Sequence, residues 1–111
     1  MTLKRYGMVL RLKPGAYEEY KRLHQNVPPE ILKTAHEHGI RNQTIFYRDG
    51  YLFRHFEYVG DDFEKDMAAL APSTSAVRQR WWELTSALQE PLDTCAPGEW
   101  WAVMDEAFHG D

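Results

Sequence analysis

The sequence predicts an α+β fold, a four-stranded antiparallel sheet with helices packed on one face. Three observations predict it. Some segments alternate apolar and polar residues with the period of a strand, others repeat their apolar residues every three or four positions, and the two kinds follow in the order strand, helices, strand, strand, helices, strand.

The first strand runs from Tyr6 to Lys13, with Met8, Leu10 and Leu12 on one face and Arg11 and Lys13 on the other, until Pro14-Gly15 ends it. From Ala16 the spacing of Tyr17, Tyr20, Leu23 and His24 is helical, and this helix is expected to reach about Gln25. Pro28-Pro29-Glu30 opens a second helix, because proline is preorganised for a first turn and glutamate suits the positive helix end, and Gly39 stops it. Strands follow over Asn42–Arg48 and Tyr51–Val59, joined by Asp49-Gly50, a pair that accepts the positive φ angles of a tight hairpin.

Asp62 is placed to cap a helix from Phe63 to Leu70, Pro72-Ser73 breaks the pattern, and Ser75 to Leu88 is a longer helix with Val77, Trp81, Leu84 and Leu88 along one stripe. After a loop holding Pro91, Pro97 and Gly98, a last strand is expected from Trp100 to Phe108, with Trp100 and Trp101 on opposite faces, one in the core and one toward a partner. The arrangement is ferredoxin-like. Its helices leave one sheet face bare, and a second copy of the sheet would cover it, giving a dimeric α/β barrel.

At 111 residues the chain suits one domain spanning 1–111, in which binding and catalytic groups share a single core. An apolar fraction of 43% with four Trp, six Tyr and five Phe supplies that core and excludes intrinsic disorder. The net charge of −4 and the scattered Lys and Arg give a nucleic acid backbone nothing to follow, so no nucleic-acid partner is expected. Cys95 stands alone, which rules out an internal disulfide and fits a reducing compartment, and the thiol reads as a buried small hydrophobe. With no leader and no apolar run long enough to span a bilayer, the expectation is a cytoplasmic protein without a membrane partner.

Tyr20 and His24 lie four apart on the first helix, so both side chains reach one small molecule. Histidine titrates nearest neutrality and both gives and takes a proton, while the tyrosine hydroxyl donates or accepts. The alternative is an aromatic at the core boundary beside a surface histidine. Trp81 and Trp82 are about 100° apart around their helix, so one is expected to enter the core while the other edges a pocket, where an indole suits the apolar face of a sugar. Two packing anchors are the alternative. Neither His36 and His38 nor the isolated His55 and His109 form a metal motif, and no phosphate loop, nucleophile elbow or redox motif is present, so no metal and no cofactor are expected.

The run Tyr20-Lys-Arg-Leu-His24, then Pro29-Glu30, Gly39, Asn42, Ile45, Trp81-Trp82 and the ending Glu106-Ala-Phe108-His109 together resemble the L-rhamnose mutarotase family over nearly the whole chain. The resemblance implies a dimeric ferredoxin-like enzyme that interconverts the α and β anomers of a monosaccharide, with His24 as proton donor and Tyr20, Trp81 and Trp82 against the sugar. The chain departs from the family's usual pattern at Pro28, where a Trp is common, and at Gln43, where a sugar-contacting Tyr is common. Gln43 still hydrogen-bonds a hydroxyl but cannot stack, so the preferred sugar is open to change toward L-fucose or another 6-deoxyhexose; a solvated strand residue is the alternative. Two other functions fit the same architecture: a cofactor-independent small monooxygenase acting on aromatic substrates, and a non-catalytic sugar-binding module.

Overall fold

The structure is a computed structural model describing residues 3–71 and 75–111. Its elements are β1 (Lys4–Leu12), α1 (Tyr17–His24), α2 (Pro29–Glu37), β2 (Ile40–Arg48), β3 (Tyr51–Tyr58), α3 (Phe63–Ala69), α4 (Ala76–Ser86), β4 (Gln89–Glu90) and β5 (Ala102–Met104). The break expected at Pro72-Ser73 lies outside the described residues.

Local chemistry sets most of these boundaries. Asp49 and Gly50 both adopt positive φ, 52° and 88°, as a two-residue hairpin turn requires, and β2 and β3 pair from Arg48 opposite Tyr51 onward. The Asp62 side chain accepts from the Lys65 amide at 3.1 Å and starts α3, and Ser75 accepts from the Arg78 amide at 3.4 Å to start α4. Helix α1 has no side-chain cap but carries Glu18 and Glu19 in its first turn and Lys21, Arg22 and His24 in its last, all favourable to the helix dipole. Gly39 takes φ 88° after α2, and a Cβ there would meet the Tyr58 ring at 2.9 Å, so this stop is fixed by close approach as well as by backbone angle.

The sheet is antiparallel in the order β2-β3-β1-β4, with β5 also pairing β1. The fourth position is therefore shared. β4 lies beside Arg11 and Leu12 at one end of β1, and β5 lies beside Gly7 to Val9 at the other. This corrects the expected last strand. Ordered pairing covers only Ala102–Met104 of the Trp100–Phe108 run: Trp100 and Trp101 precede it, and the chain leaves β1 at Asp105-Glu106, residue types that favour solvent over a ladder. The two-residue β4 carries no recognisable alternation and was not foreseen.

The helices pack on the sheet face that carries the even-numbered residues of β1. Met8, Ile40, Phe56 and Tyr58 form one buried cluster, covered by Ala35, Phe63, Met67 and Leu70. Leu12, Ala16, Tyr20 and Leu52 form another, covered by Tyr17 and Leu88. Trp101 packs against both. On the opposite face Phe46, Tyr51, Phe53 and Met104 are exposed, so the bare face expected from sequence is present and apolar.

Candidate active site

Between the two buried clusters the helix side of the sheet opens into a cavity of about 610 Å³. Its floor is one row across the sheet: Ile45 opposite Arg54, Arg54 opposite Met8, and Met8 opposite Val103. Gln43 joins this face because the register of β2 shifts between Arg41 and Thr44, where Asn42 takes φ 51° and its side chain donates to Glu57 at 2.5 Å. An irregularity of this kind reverses the alternation of the strand and re-aims the side chains beyond it. Gln43 therefore lines the cavity along with Ile45.

Tyr20 and His24, one turn apart on α1, form part of the wall. Their rings lie 4.3 Å apart, and the His24 Nδ1 sits 2.8 Å from the Tyr20 carbonyl oxygen. A carbonyl only accepts, so Nδ1 carries a proton and Nε2 is left as the nitrogen that takes up and releases one. Burial lowers the His24 pKa below the ordinary histidine value of 6.5, an effect partly offset by the bond to the carbonyl, so the ring is neutral at pH 7. This imidazole and the Trp81 ring pack in a T-shaped contact with their centroids 5.0 Å apart.

The Tyr20 hydroxyl is fixed from the other side. Gln89 in β4 donates from Nε2 to it at 3.3 Å and accepts from the Trp100 indole at 2.8 Å, a chain of bonds that fixes which end of the Gln89 amide is which. Because Gln89 supplies the hydrogen in its bond to Tyr20, the phenol proton is free to point into the cavity. Burial raises the Tyr20 pKa, against the lowering pull of the Gln89 bond and the Arg54 charge, so the phenol keeps that proton.

Trp81 and Trp82 both line the cavity, and neither is a core residue: Trp81 is half-buried beside His24, and Trp82 is exposed, its ring 5.3 Å from Trp100. The expected division between core and pocket is replaced by one between two walls of the same pocket. The buried position on α4 belongs to Thr85, whose hydroxyl donates to the Trp81 carbonyl at 2.9 Å, and Val77 of the expected stripe is exposed. Trp100 and Trp101 also line this cavity together, instead of pointing to opposite sheet faces, because both precede the strand and escape its alternation.

All five residues singled out from sequence, Tyr20, His24, Gln43, Trp81 and Trp82, thus meet around one cavity. Sequence reasoning missed Arg54 and Gln89. The signal for Arg54 was available: it stands between Leu52 and Phe56 in β3, and the alternation that buries those two turns Arg54 inward. Its Nε donates to Gln43 Oε1 at 2.6 Å, and its guanidinium lies over the Phe56 ring at 4.7 Å and the Trp101 ring at 5.7 Å. Burial lowers its pKa to about 10, which leaves it cationic at neutral pH. Gln89 lies in the two-residue strand that had no pattern to reveal it.

The helix side of this ferredoxin-like sheet thus holds a small cavity lined by a histidine, a tyrosine and paired tryptophans. A family model for L-rhamnose mutarotase matches residues 5–110. The chain belongs to the L-rhamnose mutarotase family and is an isomerase. It is similar to an L-rhamnose mutarotase of Oceanobacillus iheyensis, 25% identical over 109 residues that cover 98% of this chain and 100% of that one. Among solved structures, an L-rhamnose mutarotase from Formosa agariphila superposes with a TM-score of 0.74 at 19% identity, covering 97% of this chain and 99% of the other. A tetracenomycin F2 cyclase from Streptomyces glaucescens superposes with a TM-score of 0.64, also at 19% identity and over 97% of this chain and 99% of that one, and shares the fold.

Proposed function

We propose that the protein is an aldose mutarotase that interconverts the α and β anomers of L-rhamnose or a related 6-deoxyhexose by acid–base catalysis, with His24 as the group that moves the proton. The observation that carries this reading is the His24–Tyr20 pair: an imidazole pinned through Nδ1 to the Tyr20 carbonyl, kept neutral by burial, beside a phenol that keeps its proton. His24 Nε2 takes the proton from the anomeric hydroxyl while a proton reaches the ring oxygen, donated by the Tyr20 hydroxyl or by a water. The C1–O5 bond breaks, the open aldehyde rotates, and the reverse transfers close the ring on the other face. Trp81 and Trp82 offer indole faces to the C–H surface of the sugar, and Gln43 supplies an amide to a hydroxyl.

The protein is proposed to act as a homodimer in the cytoplasm. The exposed Phe46, Tyr51, Phe53 and Met104 on the bare sheet face support the dimer, since a second sheet would cover them and close the α/β barrel. The lone Cys95 fits a reducing compartment. The enzymatic reading is tested by saturation-transfer NMR on the C1 protons of L-rhamnose across pH. The expected result is exchange faster than in buffer, constant above the His24 pKa and falling as the pH drops through it, a midpoint below 6.5, because protonation removes the base. Exchange at the buffer rate throughout would defeat the proposal.

A further inference from the structure

The geometry points to a second substrate class for this cavity: hexoses whose C5 carries a carboxylate, the hexuronates, held more tightly than their neutral 6-deoxy counterparts through Arg54 and Gln43. The inference rests on the reading of the cavity as a monosaccharide site and concerns which substituent the sugar brings to its floor.

Arg54 is a cation set into the middle of the core face, with the fully buried Leu52 and Phe56 on either side of it in the strand. Among the described residues it makes no ion pair and no bond to a main-chain carbonyl, whereas Arg5, Arg11, Arg22, Arg48 and Arg80 have carboxylate partners and Arg41 and Arg78 donate to main-chain carbonyls. A cation half-buried among apolar side chains is costly unless paired, so a guanidinium kept at such a place is poised for an anion from outside the chain. Its Nε is held by Gln43, and Nη1 has the Met8 sulfur, a weak acceptor, at 3.8 Å, which leaves the outer edge of the fork for a ligand.

The polarity of the surrounding groups agrees. Arg54 cannot accept a hydrogen bond, so the end of the Gln43 amide that faces it is the oxygen, and the amide nitrogen remains as a donor. Gln89 fixes the Tyr20 hydroxyl as a donor on the same reasoning. At the floor of the cavity Arg54, the Gln43 amide nitrogen and the Tyr20 hydroxyl are donors, whereas the acceptors His24 Nε2, the Glu99 carboxylate and the Thr34 and Thr85 hydroxyls belong to the rest of its lining. A neutral sugar brings hydroxyls that need acceptors as well as donors, whereas a carboxylate brings acceptors alone. The second guanidinium of the lining, Arg78, is engaged by the Ala69 and Ala71 carbonyls, so the one guanidinium and one amide at the floor match a single negative charge better than the nearly double charge of a phosphate. With Arg54 on the sheet floor and His24 on the helix wall, the carboxylate and the anomeric carbon of one sugar ring have separate places.

The test uses matched pairs of sugars that differ in carboxylate against methyl on C5: D-galacturonate with D-fucose, and D-glucuronate with 6-deoxy-D-glucose. Binding is measured by calorimetry at neutral pH and C1 exchange by saturation transfer, with D-galactose 6-phosphate and L-rhamnose alongside. The expected result is that at least one uronate binds roughly 10- to 100-fold tighter than its partner, the scale of one charge-assisted bond. Arg54→Gln erases that ratio and Arg54→Lys keeps part of it, a selectivity readout that a purely structural role for Arg54 would leave unmoved. Equal affinities within both pairs, binding of neither uronate, tighter binding of the phosphate, or an unchanged ratio in R54Q would each overturn the inference. If R54Q does not fold, the wild-type ratio and R54K decide the matter. Accelerated L-rhamnose exchange without uronate binding leaves the mutarotase standing and removes this inference. Uronate preference without any accelerated exchange does the reverse.

Discussion

Two neighbouring rows of the same sheet face make different things of the same backbone. In one, Leu10 stands opposite Leu52, at 0% and 1% exposure, and the row is sealed as core. One step along in register, Met8 stands opposite Arg54 and Arg54 opposite Ile45, and the row is the floor of a cavity. Strand geometry, twist and hydrogen bonding are shared, so the difference lies in the side chains and in what the helices set over them. Leu52 meets Tyr20 and Ala16 and is closed over, whereas above Arg54 the wall residues His24, Trp81 and Trp82 stand apart around open space. The site is a place where core packing is interrupted by a charge and by rings too large to close on it.

The sharpest way to test this contrast is to truncate the sealed row. Leu52→Ala removes a side chain with no room to relax and is expected to lower stability by about 2–5 kcal/mol, read from urea unfolding at constant m-value. A loss under about 1 kcal/mol would mean that the two rows are packed alike. A smaller effect is expected on the open row. Trp82→Phe keeps part of the aromatic face at a position 37% exposed, so sugar affinity weakens several-fold while the unfolding midpoint moves by less than that of L52A. Stability loss with normal sugar binding would return Trp82 to a packing role.

The contrast also explains what the sequence made legible. Among the described residues, periodicity and turn chemistry located the first three strands and the four helices, most directly where an element buries a row, as β1 does through Met8, Leu10 and Leu12. Asp49-Gly50 and Asp62 fixed a turn and a cap through their own chemistry. The paired Tyr20 and His24 followed from helical spacing, with the tryptophans added by type and by resemblance, and all four line one cavity.

What stayed hidden had no period to carry it. The two residues of β4 are too few to alternate, and Trp100 and Trp101 look like a strand but turn together toward the cavity before pairing begins at Ala102. The irregularity after Arg41 that turns Gln43 inward depends on a positive φ at Asn42, which is a property of the folded backbone. Arg54 was overlooked for the opposite reason. Its inward position was legible, but a charged residue in an alternating strand is ordinarily read as the solvent side.

The central claim, that His24 moves the proton in this cavity, is tested most directly by α/β exchange of L-rhamnose measured by saturation transfer with the wild type and with His24→Ala at equal concentration. The account predicts that the wild type accelerates exchange and that the substitution removes about 10²–10⁴-fold of that acceleration, with an unchanged near-UV circular dichroism spectrum. Exchange in a folded H24A protein as fast as in the wild type would contradict it.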